Sequence, residues 1–316
     1  MEGEFTTSDG TKLYKKTWKP SSGQISAVLI FLHGFSDHIN AYYEFFPTLS
    51  SSPCNIAVYG FDQRGWGRSV RKPDERGLTG PTSLVLFDIH DFVLHVASLP
   101  ETHGKPLFLM GHSMGGGEAL CYTLSTSPKF SNRPPIRGLL LEAPYVELDP
   151  SEQPSPLLVS AGKLAAMVLP HRQMKQKLHA TYMSRSAKVR QEWVDDPLCH
   201  DTGTLEGLKG LLQRAGDLSA LSHGRKVDGL TTRVPCPVWV AHGTSDRVVS
   251  PTAAQRLFDV LEAPNGDKVF HSYPDAYHKL HAEPEGVGEQ FAKDVANWIL
   301  THAAESSETA QPKSKL

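Results

Sequence analysis

PLFLMGHSMGGGEALCYTL, residues 106–124, decides the architecture. Pro106 to Met110 is a continuous apolar run of strand length, Gly111 to Gly115 reads G-x-S-x-G, and apolar residues recur at helical spacing from Gly116 to Thr126. A strand that turns abruptly into a helix at a serine brings backbone close to backbone, so the flanking positions must be small. Ser113 is therefore expected at the C-terminal edge of a sheet. The helix beginning there would help stabilise negative charge on a reacting oxygen.

Outward from this turn, short apolar or β-branched runs recur at Ala27–Leu32, Asn55–Phe61, Ile136–Leu141, Pro237–Ala241 and Lys268–Tyr273. Helical patterns lie between or after them, at Leu84–Leu99, Thr252–Leu261 and Glu285–Leu300. Strands alternating with helices predict a mostly parallel α/β sheet with helices on both faces. Glu4–Trp18, with Asp9 and Gly10 at its turn, predicts an antiparallel hairpin at the sheet edge. Between 147 and 233 the alternation breaks: Pro150, Pro154, Pro156 and Pro170 punctuate helical pieces and no convincing strand is seen. The expected organisation is a core of residues 1–146 and 234–302, a helical cap insertion at 147–233, and a polar, flexible tail at 303–316.

Composition narrows the function. The 316 residues carry 32 Lys and Arg against 34 Asp and Glu, so no basic excess exists to hold nucleic acid. Cys54, Cys121, Cys199 and Cys236 show no CxxC or CxH spacing, which indicates neither a disulfide framework nor a zinc site; no metal or cofactor is expected. The opening MEGEFTTSDG lacks the basic start and apolar run of a signal peptide, and no stretch of about 18 apolar residues occurs. An intracellular protein, not integral to a membrane, is expected.

A serine hydroxyl needs a base to become nucleophilic, and the base needs an acid to orient it. Past the strand PVWVA, the turn His242-Gly-Thr-Ser-Asp246 supplies a carboxylate; past KVFHSY, Pro274-Asp-Ala-Tyr-His278 supplies an imidazole. The order Ser113, Asp246, His278 is that of α/β-hydrolases. His271 and His281 compete for the base, but His271 lies within the strand pattern and His281 at the apparent start of the last helix. Asp275 and Asp217 are rival acids that follow no strand in the required place. Backbone N–H groups of Met114, after the nucleophile, and Phe35, in the loop after AVLIF, would form the oxyanion hole.

HGFSDH at 33–38, DQRGWGRS at 62–69, GHSMGG at 111–116, HGTSDRVVSP at 242–251 and AYHKLHAEPE at 276–285 together resemble the monoacylglycerol lipases over about residues 4–300. The resemblance implies a triad of Ser113, Asp246 and His278 and an oxyanion hole at Phe35 and Met114. It places His112 and His281 near the polar glycerol end of the substrate, beside the loop that holds Asp37. The DPL at 196–198 resembles the family's cap. Two departures stand out: the family's glycine and glutamate in HGxGEH are Ser36 and Asp37, and an arginine common three residues on is Ala41.

The implied activity is cleavage of a monoacylglycerol to fatty acid and glycerol through an acyl-enzyme. Alternatives are another ester or thioester hydrolase, such as a lysophospholipase, an acyl-CoA thioesterase or a specialised-metabolite esterase, or a non-catalytic binding protein on the same fold. Epoxide hydrolases and dehalogenases are excluded, because their nucleophile would be an aspartate at position 113.

Two further stretches concern location. LLVSAGKLAAMVL, 157–169, is apolar nearly all round a helix, with Leu157, Ala161, Leu164 and Val168 in one stripe. At ~1.5 Å per residue it reaches about 20 Å, too short to span a bilayer. Two readings stand: a helix packed over the active site, or a lid that touches a membrane or lipid droplet through Leu157 and Leu164. Ser314-Lys315-Leu316 matches the peroxisomal address read by an import receptor; the cytosol or a lipid-droplet surface is the alternative.

Overall fold

The computed structural model describes residues 1–308. Its strands are β1 (Glu2–Thr6), β2 (Lys12–Trp18), β3 (Ala27–Leu32), β4 (Ile56–Phe61), β5 (Leu107–His112), β6 (Gly138–Glu142), β7 (Gln173–Lys175), β8 (Thr202–Thr204), β9 (Val238–Gly243) and β10 (Lys268–Tyr273). Its helices are α1 (Phe45–Ser50), α2 (Thr82–Ala97), α3 (Met114–Leu124), α4 (Pro156–Val168), α5 (Ala187–Asp195), α6 (Leu205–Ser222), α7 (Pro251–Val260) and α8 (Val287–Glu308). All strands but β7 and β8 join one sheet in the order β1-β2-β4-β3-β5-β6-β9-β10. It is parallel from β4 to β10, with the predicted hairpin β1-β2 as its antiparallel edge.

The strands are continuous apolar runs because both faces of the sheet are covered. In β3, Val28, Ile30 and Leu32 enter one core with α2, α3 and α7, while Ala27, Leu29 and Phe31 enter the other with α1 and α8. That alternation follows from the two-residue period of a strand. The chain steps from β3 outward to β4, then returns to place β5 on the other side of β3. Such a switch in direction opens a crevice at the C-terminal ends of the two strands, where open α/β sheets bind ligands. The loop with Phe35 leaves β3 there, and Ser113 leaves β5.

Between β6 and β9 the structure departs from the expectation of helices alone. β7 and β8 form a short antiparallel pair, Gln173 opposite Thr204 and Lys175 opposite Thr202. The inserted segment has its own small core, where Met183, Trp193 and Ala215 meet Ala143, Tyr145, Val248 and Val249 of the loops after β6 and β9. It is also tied down by charge: Arg214 of α6 meets Glu118 of α3 at 2.9 Å, both buried. At the C-terminal end, α8 runs on to Glu308, past Ala303, where the tail was expected to begin. Ser314, Lys315 and Leu316 lie outside the described residues. No helix among the described residues is long and apolar enough to cross a membrane.

Candidate active site

Ser113 caps α3 with φ 53° and ψ −118°, a left-handed conformation that costs a non-glycine residue about 1–3 kcal/mol. The neighbours hold it there: its N–H donates to the Glu142 carbonyl at 3.0 Å, and its carbonyl accepts from Tyr145 at 2.9 Å and Gly117 at 3.1 Å. The small flanking residues are required sterically. A Cβ on Gly111 would overlap the Gly115 carbonyl, and one on Gly115 would overlap the carbonyls of Leu32 and His33.

His278 Nε2 lies 2.9 Å from Ser113 Oγ, and its Nδ1 lies 2.8 Å from Asp246 Oδ2. A carboxylate can only accept, so Nδ1 carries the proton and Nε2 is left to take one from the serine. All three residues are buried. Burial alone would push the Asp246 carboxyl up. The charge of His278 and hydrogen bonds from His242 and His278 outweigh it and hold Asp246 well below the usual carboxylate range. Backbone N–H groups of Val248 and Val249 donate to its other oxygen at 2.8 and 3.2 Å. The rival candidates are elsewhere: His271 is on β10, Asp217 is on α6, and the backbone N–H of Asp275 donates to Thr244 Oγ1 at 2.8 Å.

The sequence reading did not mark His242. Its Nε2 approaches Asp246 Oδ2 at 3.0 Å, so that oxygen accepts from two imidazoles. The five-residue turn carries the signal, since a histidine next to the last residue of β9 and four residues before the acid can fold back onto it.

His281 makes no bond to Ser113. It sits on a short turn at 280–282, well before α8 begins, and Glu142 Oε1 accepts from its Nδ1 at 2.7 Å and its backbone N–H at 3.1 Å. His112 is packed against the rings of His278 and His281, and burial together with these imidazoles and Lys279 holds its pKa well below the histidine norm. Asp37 forms a fully buried ion pair with Lys279 at 3.0 Å. Burial raises the Asp37 carboxyl, Lys279 and neighbouring histidines more than reverse this, and the group titrates below its ordinary range. His112, His281 and Asp37, assigned from the resemblance to the substrate's polar end, thus form a polar layer behind the triad. They line no part of the cavity over Ser113.

The departure at Ser36 has a visible consequence. It has φ 53°, which explains why glycine suits that position, and the cost is offset by two contacts from the insertion. Trp193 Nε1 donates to the Ser36 carbonyl at 3.1 Å, and the Asp201 N–H donates to Ser36 Oγ at 2.9 Å. These bonds and the Asp37–Lys279 pair fix the loop that presents Phe35.

Above Ser113 lies a cavity of about 170 Å³. Phe35 and Met114 form its floor with Ser113; Leu158, Val159, Leu178, Leu205, Leu208 and Leu212 of the insertion close over it. Lys163, Lys209, Gln176 and Tyr145 are its few residues with polar groups besides the serine. The outer side of α4 faces solvent, with Leu157 81% and Leu164 67% exposed.

This geometry has known counterparts. The family described as serine aminopeptidase S33 matches residues 23–285. A provisionally named monoglyceride lipase of Schizosaccharomyces pombe is 35% identical over 93% of this chain and 72% of that protein. The monoglyceride lipase of Rattus norvegicus is 27% identical over 93% of this chain and 89% of its own. In three dimensions, a soluble variant of the Saccharomyces cerevisiae monoglyceride lipase, solved with a substrate analogue, superposes with TM-score 0.81 over 96% of this chain and 94% of that one, at 24% identity. The fold, the strained serine with its imidazole and carboxylate, and the extent of these matches place the chain in the serine aminopeptidase S33 family of α/β-hydrolases, among the monoglyceride lipases.

Proposed function

We propose that this chain is a carboxylic ester hydrolase that cleaves monoacylglycerols to fatty acid and glycerol. The observation that carries the reading is the hydrogen-bonded series Ser113, His278, Asp246 opening into an apolar cavity. His278 Nε2 takes the Ser113 proton as Oγ attacks the ester carbonyl, and the oxyanion turns toward the N–H groups of Phe35 and Met114. The imidazolium then gives its proton to the departing glycerol oxygen, and water, activated by the same imidazole, releases the fatty acid from Ser113. Asp246, ionised throughout, stabilises the imidazolium.

The leucine-lined cavity matches the apolar character of an acyl chain. A peptide with a protonated amino end would instead meet Lys163 and Lys209 and no carboxylate, which disfavours the aminopeptidase activity of the family description. The insertion acts as a cap, and the outer face of α4 rests on the lipid surface that delivers the substrate. Ser314-Lys315-Leu316, where it stands as a free chain end, is read by the peroxisomal import receptor.

The decisive experiment is a hydrolysis profile over monoacylglycerols, lysophospholipids and acyl-CoA esters, with fluorophosphonate labelling of wild type and Ser113→Ala. Preference for monoacylglycerol and labelling lost in the variant are expected. Preference for either other class replaces the substrate, and folded wild type that does not label removes the hydrolase. For the address, a tagged full chain lacking Leu316 should leave peroxisomes for the cytosol; unchanged distribution refutes that part alone.

A further inference from the structure

We propose that His38, Asp196 and Cys199 form a binding site for a thiophilic divalent cation of the zinc class, where the loop after β3 meets the loop after α5. A ring nitrogen of His38, a carboxylate oxygen of Asp196 and Cys199 Sγ all lie within 4.8 Å of one another. That spacing needs only a small contraction to put three ligands around one ion, with a fourth position for water. A thiolate, an imidazole and a carboxylate form a mixed set that suits zinc, cobalt or cadmium and not magnesium or calcium, which take oxygen ligands.

The surroundings favour a cation. Besides Asp196, the carboxylates of Asp37 and Asp201 act on Cys199, opposed by the ammonium of Lys279, which Asp37 already pairs. The Asp196 side chain is 30% exposed, which gives an ion a way in, while His38 is buried. At rest, Asp196 Oδ2 is hydrogen-bonded to His38 Nε2 at 2.8 Å, and His38 Nδ1 accepts from the Asn40 N–H at 3.3 Å. On binding, the Cys199 thiol proton leaves to solvent. The cation replaces the contact between His38 and Asp196, and the imidazole proton moves to Nδ1 at the expense of the long Asn40 bond.

An ion here would link the loop that presents Phe35 to the inserted segment. Ser36, two residues before His38, already bonds to Trp193 and Asp201 on either side of the two insertion ligands. Occupancy adds a third tie at the same seam.

The test titrates the chelator-treated full chain with Co2+ and reads the thiolate-to-cobalt charge-transfer band together with the visible bands of tetrahedral cobalt. One equivalent of cobalt, displaceable by zinc but not by magnesium, is expected, with zinc raising the Tm. Cys199→Ser should lose the charge-transfer band and Asp196→Asn should weaken binding at least tenfold, while Cys54→Ser leaves both unchanged. A wild-type protein with no charge-transfer band, or a band that survives Cys199→Ser, overturns the site. If Cys199→Ser fails to fold, the wild-type titration still decides, because zinc must abolish the band and raise the Tm with the same stoichiometry.

Discussion

The outer face of α4 can be tested by a double substitution, Leu157→Asp with Leu164→Asp. The two residues are seven apart, on one side of the helix, and 81% and 67% exposed. Fully burying a leucine is worth about 2 kcal/mol, so covering these exposed fractions with lipid gives roughly 3 kcal/mol for the pair. Losing it weakens partition onto vesicles by about 100-fold, before counting the cost of bringing carboxylates to an acyl boundary. Neither residue lines the cavity over Ser113, so hydrolysis of a soluble short-chain ester should stay within about twofold of wild type. Leu158, which does line it, is the contrast: Leu158→Asp should depress the soluble reaction. Co-sedimentation with phosphatidylcholine vesicles and a p-nitrophenyl butyrate assay measure the two quantities on the same preparations. Unchanged vesicle binding in the double variant, or equal loss of both readouts, would refute the lipid-contact reasoning and leave α4 as a packing element.

Other outcomes follow from the buried charges. His278→Ala should cost about 10⁴-fold or more in kcat, close to Ser113→Ala because the two act as a unit, whereas His281→Ala should cost far less; a dead 281 variant beside a working 278 variant would overturn the base assignment. Arg214→Met leaves Glu118 buried without its partner and should lower unfolding stability by about 3–5 kcal/mol in urea titrations, with Glu118→Leu added to it recovering much of the loss. Burial raises the Glu118 carboxyl from 4.5 to about 7, against the pull of Arg214. The folded state therefore holds more protons than the unfolded one between those values, and this group's contribution is full below pH 4.5 and lost as pH rises through 7. The shift amounts to roughly 3 kcal/mol, and Glu118→Gln should flatten the stability profile between pH 5 and 7; an unchanged slope would show that Glu118 is ionised throughout.

What could be read from the chain is what local sequence encodes. Continuous apolar runs such as β3 and β9 announce strands covered on both faces, and the glycines around Ser113 announce a turn in which a Cβ has no room. The order of Ser113, Asp246 and His278 could be read because each follows a strand that the same runs reveal. β7 and β8 escaped because QMK and TGT are three-residue strands whose pairing is set by the packing of the insertion and not by any alternation of their own. The end of α8 escaped for the opposite reason: its polar composition suggested a tail, yet the helix runs on through Ala303 and Ala304, residues with the best helix propensity. The hardest features to foresee join distant residues through charge. Nothing near Asp37 in the sequence names Lys279 as the partner that lies 3.0 Å away, and Cys199 reads as an isolated thiol until the fold brings it beside His38. A buried charge must find a partner, but the sequence does not say which one. The loops that carry the chemistry are therefore legible in position, while the ion pairs that hold them rigid are decided only once the sheet has brought its C-terminal edge together.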